Sequence, residues 1–349
     1  MYKILFILVA ILGVGIGYFR NDIGNPYALD YNKIVMNLPI NYNTHLDNKA
    51  YGLGEKYLAE DMKIEFIKNG FDVDIYTWED TYSNKNFKEG FEFYMRSWPE
   101  LKLKNYRKHV DRDRISVLYE TIPYELEAVK NVDIIFTSSY KRNKLYKEMG
   151  LNSYFTPQYT RFDKFYPAYD EKYKTKLLFI GNNWHYDIVR KTILYSIKNN
   201  LELDIYGKGW DNIIDEEHKH LLKGEQILPD DLKYYYSSAD IVFNDTRQDM
   251  IDNGFISNRI FDVTACGGFL ISDYIAEIEE IFGDSIVMYK NEEEFIKLTE
   301  YYLAHPEERK EKAKKAHEIT MKNFGAETGI RKMSEILREY AKKYEGVNE

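Results

Sequence analysis

Short apolar segments alternate with longer amphipathic ones along most of this chain. Lys33-Ile-Val-Met-Asn-Leu-Pro39 reads as a strand entering a loop. Residues 54–69 carry helical spacing and meet Gly70, which suits a left-handed helix end. Residues 71–76, 115–119 and 132–137 read as further strands, the last two each followed by a helix-like run. Strands alternating with helices predict a parallel, doubly wound sheet. The pattern lapses over Thr156-Pro-Gln-Tyr-Thr-Arg-Phe-Asp-Lys-Phe-Tyr-Pro167 and the polar residues 168–175, which read as a linker. It then restarts. Strands are expected at 176–180, 201–206, 239–244, 269–272 and 285–289, and helix from Glu292 onward, with Pro306 opening a new helix.

The expected fold class is therefore α/β, with two Rossmann-like domains facing across a cleft. The boundaries are 30–160 for the first domain, 170–330 for the second and 331–349 for a helical tail. A short hydrophobic N-terminal helix, within residues 1–20, would precede them. Residues 4–19 carry no charge and follow Met1-Tyr2-Lys3. They read as a membrane anchor, with a signal peptide as the alternative, although Gly15-Ile16-Gly17 makes a poor cleavage site. Lys3 and Arg20 are too few to orient it.

Charge and composition narrow the chemistry. Net charge is -9. No basic stripe marks a nucleic-acid partner. The single cysteine, Cys266, excludes a disulfide framework and a cysteine-based zinc site. His218 and His220 are spaced so that they do not share a helix face. Asp72-x-Asp74 falls in an expected strand and Asp111-x-Asp113 just before one, so both read as surface charge, and no metal is expected.

In open parallel sheets, ligands bind beyond the carboxyl ends of the strands. The richest such segment is Gly254-Phe-Ile-Ser-Asn-Arg-Ile-Phe-Asp-Val-Thr-Ala-Cys-Gly-Gly-Phe-Leu-Ile-Ser-Asp273. Ser257 can cap a helix on which Asn258, Arg259 and Asp262 share one end. A helix N-terminus with an arginine suits a diphosphate, and Asp262 can accept a ribose diol. An amphipathic helix with an incidental Arg–Asp pair would give the same pattern. Gly181 and Asn182 end one strand, and Gly207-Lys208-Gly209 ends the next. Each offers close backbone approach to phosphate, or simply a turn.

The Gly254–Asp273 segment resembles the donor-binding signature of group-1 glycosyltransferases of the GT-B fold, in particular the CgeB-like branch of spore maturation proteins. In that branch an Asn-Arg-x-Phe-Glu run precedes an Ala-Cys-Gly turn. The similarity extends through Asp273-Tyr-Ile-Ala-Glu-Ile-Glu-Glu-Ile-Phe-Gly283 and Tyr301-Tyr-Leu-Ala-His-Pro-Glu-Glu-Arg309, and covers residues 130–340. It implies a nucleotide-sugar donor in the second domain, an acceptor in the first, no metal cofactor, and retention of anomeric configuration. It places Arg190 where the family often has a cation for the diphosphate, with Lys191 as the competing candidate. It places Glu120 near a point where relatives carry an acidic residue or histidine facing the cleft, as an acceptor-orienting group or base. Donor contacts would fall on Gly181, Asn182, Gly207, Lys208, Asn258, Arg259 and Asp262.

Two departures stand out. Asp262 replaces the family's usual glutamate, and Gly254 stands where the wider family has another glutamate, so donor-sugar contacts do not carry over at 254. The expected activity is transfer of a sugar to a cell-envelope, lipid-linked or protein acceptor, at the cytoplasmic membrane with the catalytic domain inside. The rival expectations are a nucleotide-sugar epimerase and a non-catalytic GT-B module with an envelope or spore-surface role.

Overall fold

The computed structural model describes residues 31–38, 53–76, 90–95, 114–183, 190–211 and 213–348, without the side chains of Leu53 and of 344–348. Two six-stranded sheets form it. The first runs β2-β1-β3-β4-β5-β6, from β1 (Lys33–Asn37), β2 (Asp72–Tyr76), β3 (Gly90–Tyr94), β4 (Arg114–Glu120), β5 (Ile134–Thr137) and β6 (Ser153–Phe155). The second runs β12-β11-β10-β7-β8-β9, from β7 (Thr175–Ile180), β8 (Asp204–Tyr206), β9 (Leu222–Gly224), β10 (Ala239–Asn244), β11 (Leu270–Asp273) and β12 (Val287–Tyr289). Every pairing is parallel. Parallel sheets are covered on both faces, which explains why β3, β4 and β5 are buried almost throughout.

Three strands escape the hydrophobic pattern. β6 and β9 are three residues each. β3 carries Glu92 between Phe91 and Phe93, and its carboxylate is buried against Asn37 Nδ2 at 3.1 Å. The Asp72 and Asp74 carboxylates are both held by Lys33 Nζ, at 2.7 and 2.6 Å. Among the described residues no cluster of His, Cys, Asp or Glu could hold a metal ion.

The final helix, Ala326–Asn348, does not end as a tail on the second domain. It crosses back, and Ile330, Met333, Leu337 and Ala341 enter the core of the first, against Phe66 and Phe93. Each large apolar side chain buried there contributes about 1.5–3 kcal/mol. The crossing is held at the linker by parallel bridging of Thr160 and Gly325. Arg161 and Lys164 of the linker bind Asp61 of the first domain at 3.0 and 2.5 Å.

The membrane location expected from sequence is corrected. Among the described residues, no helix is long and apolar enough to cross a membrane. Residues 1–20, where the hydrophobic helix was expected, lie outside the described residues.

Candidate functional site

Strand order reverses between β7 and β10 in the second sheet, which opens a crevice beyond their carboxyl ends. Gly181 follows β7, Asn244 ends β10, and the helix Asn258–Ala265 starts nearby. Its N-cap, Ser257, makes no side-chain cap hydrogen bond, and among the described residues no side chain closes the positive end of the helix.

Arg259 reaches from this helix into the crevice. Its guanidinium lies 5.3 Å from the centre of the Phe179 ring, and Nη1 donates to Asn244 Oδ1 at 2.9 Å. A Cβ on Gly181 would stand 2.8 Å from Arg259 Nη2, so the glycine makes room for the arginine. No carboxylate lies within ion-pair distance of Arg259 among the described residues. A fixed cation beside neutral partners keeps its charge available to an incoming anion.

Arg190 also reaches the crevice, but it is committed. Its Nη1 donates to the Asp245 carbonyl at 3.0 Å and lies 3.7 Å from Asp245 Oδ1. Burial depresses its pKa, opposed by Asp245. Asp245 in turn accepts from Thr192 N at 2.9 Å and so closes the start of the helix Lys191–Lys198, which removes that helix end as a phosphate site. Asp273, at the end of β11, accepts from Thr246 N at 3.0 Å. Burial, then the nearby Asp245 charge, pushes its carboxyl up to about 7. Asp245 is raised chiefly by burial too. Asn244, Asp245 and Asp273 are thus parts of the crevice that the sequence reading passed over. The available signal was a carboxylate directly at the end of an apolar strand.

Asp262 lies one helical turn beyond Asn258. Asn258 Nδ2 donates to Asp262 Oδ2 at 2.9 Å. Asp262 Oδ1 and Asn258 Oδ1 are buried without a hydrogen-bond partner. Thr160 Oγ1 sits beside the carboxylate without forming a well-aligned bond. Burial raises Asp262 to about 7, opposed by Thr160 and Asn258. Buried acceptors left open in this way are costly, and a ligand's hydroxyls would satisfy them.

The glycine loops also pack against each other. Gly207 has φ +145, and a Cβ there would come 2.0 Å from the Gly181 carbonyl; at Gly209 (φ +83) it would come 2.2 Å from that of Asn183. Asn182 Oδ1 accepts from Lys208 N at 2.8 Å, and Trp210 Nε1 donates to the Gly181 carbonyl at 2.9 Å. The glycines let two loops interlock and build the crevice wall.

Glu120 does not face the cleft. It is fully buried at the end of β4. Thr137 Oγ1 donates to Oε2 at 2.6 Å, Tyr146 OH to Oε1 at 2.7 Å, and Arg142 Nη2 lies 2.9 Å from Oε1. Burial, then the Glu120 charge, raises the Tyr146 hydroxyl well above its usual range. Arg142 Nη1 continues to Asn253 Oδ1 at 3.2 Å, in the second domain. The donors surrounding it hold Glu120 as an anchor for this contact between the domains. The structure thus gathers Gly181, Asn182, Gly207, Lys208, Arg190 and Arg259 at one crevice, sets Asn258 and Asp262 at its linker side, and leaves Glu120 apart.

The chain is similar to several known proteins. Residues 190–335 match the family described as glycosyl transferase-like. The spore protein CgeB of Bacillus subtilis (strain 168) is 26% identical over 216 residues, 57% of this chain and 66% of that protein. Sucrose-phosphate synthase from Thermosynechococcus elongatus superposes with a TM-score of 0.66 at 11% identity, over 88% of this chain and 98% of that one. The chain has the GT-B fold. Anabaena HepE, solved with UDP-glucose, is another GT-B neighbour, with a TM-score of 0.61 at 11% identity over 88% of this chain and 99% of its own. The family match begins at Arg190, so it takes in the crevice arginines and leaves Glu120 outside it.

Proposed function

We propose that this GT-B chain is a glycosyltransferase that takes a sugar from a nucleoside diphosphate and passes it to a glycan or protein hydroxyl held by the first domain. The observation that carries this reading is Arg259, a cation without a carboxylate partner among the described residues, beside an uncapped helix start at the switch point of the second sheet. The diphosphate would lie against both. As the glycosidic bond breaks, negative charge grows on the leaving diphosphate, and Arg259 stabilises it without moving. Fixed cations of this kind can serve a metal-independent transfer. Retention of configuration would follow from attack on the face that the diphosphate leaves. Asp262 would accept the ribose diol. The HepE complex with UDP-glucose supports a uridine nucleotide as the first probe.

Binding should stabilise the native protein by about 2.7 kcal/mol when UDP stands at 100 times its dissociation constant. The effect has a pH sign. Asp262, raised to about 7, is protonated below that value in the free protein. A diol donates to the ionised form, so binding releases a proton and tightens as pH rises from about 6 to about 8. Thermal melts with UDP across this range measure it. In Asp262→Asn the part of the pH dependence owed to this carboxyl should vanish, leaving only that of the UDP phosphate. Melting temperatures unmoved by millimolar UDP, GDP and TDP alike would sink the reading.

A further inference from the structure

The segment from Asp252 to Gly254 is the seam between the domains. Ser139 Oγ donates to the Asn253 carbonyl and Lys141 Nζ to that of Asp252, both at 2.5 Å. Gly254 has φ +71, and a Cβ built on it would stand 2.3 Å from Glu277 Oε1 and 3.4 Å from Lys141 Cβ. The glycine is thus bare where a carboxylate from elsewhere in the chain arrives. Glu277 lies in the first turn of the helix Ala276–Phe282, just past Asp273 at the end of β11. It is only partly buried, and among the described residues it has no hydrogen-bond or ion-pair partner. Its neighbour Glu279, by contrast, accepts from Tyr274 OH at 2.8 Å.

We propose that Glu277, whose carboxylate takes the space that Gly254 leaves, holds a hydroxyl of the donor sugar. This rests on the nucleotide-sugar reading. A sugar on its way to an acceptor in the first domain must project from the diphosphate toward the seam, where Glu277 stands. An ionised carboxylate only accepts hydrogen bonds, and sugar hydroxyls supply donors. An acid in the first turn also favours its helix electrostatically, so a merely structural role must be separated from this one.

Calorimetric titration with UDP, and with UDP-glucose, UDP-galactose and UDP-N-acetylglucosamine, makes the separation. The wild type should bind one UDP-sugar more tightly than UDP. Glu277→Gln should bind UDP as the wild type does and lose about ten- to a hundredfold of its affinity for that sugar nucleotide. Glu277→Asp should recover part of the loss, and Glu279→Gln should behave as wild type with every probe. Wild-type protein that binds UDP but no UDP-sugar more tightly overturns the proposal, and so does a Glu277→Gln variant that keeps the preference. Equal weakening of UDP itself in Glu277→Gln would assign the residue a structural role and overturn it too. Failure of wild-type protein to bind UDP at all would instead strike the nucleotide reading on which the proposal stands.

Discussion

Glu120→Ala should destabilise the protein by about 3–5 kcal/mol, the loss typical of removing one partner from a buried ion pair. The carboxylate is the hub for Thr137, Tyr146 and Arg142, and none of them has water to turn to when it goes. Arg142 is buried as well, and it would keep its charge without a counterion. Its hydrogen bond to Asn253 would be strained next, so the contact between domains should loosen with the first core. Urea denaturation of the variant beside the wild type measures the loss. Glu120→Gln keeps the shape and one acceptor oxygen, but turns the other into an amide NH2 that faces donors and leaves Arg142 uncompensated, so it should lie between the two. A catalytic Glu120 would behave in the opposite way. Its Gln variant would melt with the wild type and lose turnover.

Arg259→Ala should lower kcat by about a hundred- to a thousandfold, or about 2.7–4 kcal/mol of transition-state stabilisation, if the guanidinium meets the departing diphosphate. Stability should change less, because Arg259 contributes one hydrogen bond to Asn244 and a contact with the Phe179 ring. Arg259→Lys should restore little. A lysine cannot both lie flat on the ring and keep a planar fork toward Asn244 and the phosphates. Arg190→Ala should cost turnover too, accompanied by a fall in stability, since Asp245 would lose its cation. Initial rates of UDP release from the sugar nucleotide the protein prefers, measured beside melting temperatures, distinguish the two arginines.

Much of the architecture was legible because parallel strands carry long apolar runs and end on small or polar residues. Ile180-Gly181, Tyr206-Gly207 and Asn244-Asp245 each mark a strand end that the structure places along one rim. The helix at Asn258 was legible for the same reason, through Ser257 and the spacing of Arg259 and Asp262. What escaped depends on contacts distant in sequence. The apolar stripe Ile330, Met333, Leu337 and Ala341 announces a buried helix face, but nothing local says that it returns to the first core. Glu120 looks like any carboxylate at a strand end until Thr137, Arg142 and Tyr146 fold over it. Gly207 reads as a phosphate-cradling glycine, yet the space a side chain would need is taken by the Gly181 carbonyl. Gly254 reads as a lost carboxylate, and only the fold brings Glu277 against it.

The crevice between β7 and β10 should hold a nucleoside diphosphate. A crystal structure of the protein grown with UDP tests it most directly. Diphosphate oxygens should lie within hydrogen-bond distance of the Arg259 guanidinium and the first amides of the helix Asn258–Ala265, with the ribose hydroxyls on the unpartnered Oδ1 of Asp262. A nucleotide bound elsewhere, or one whose phosphates avoid Arg259, would contradict it.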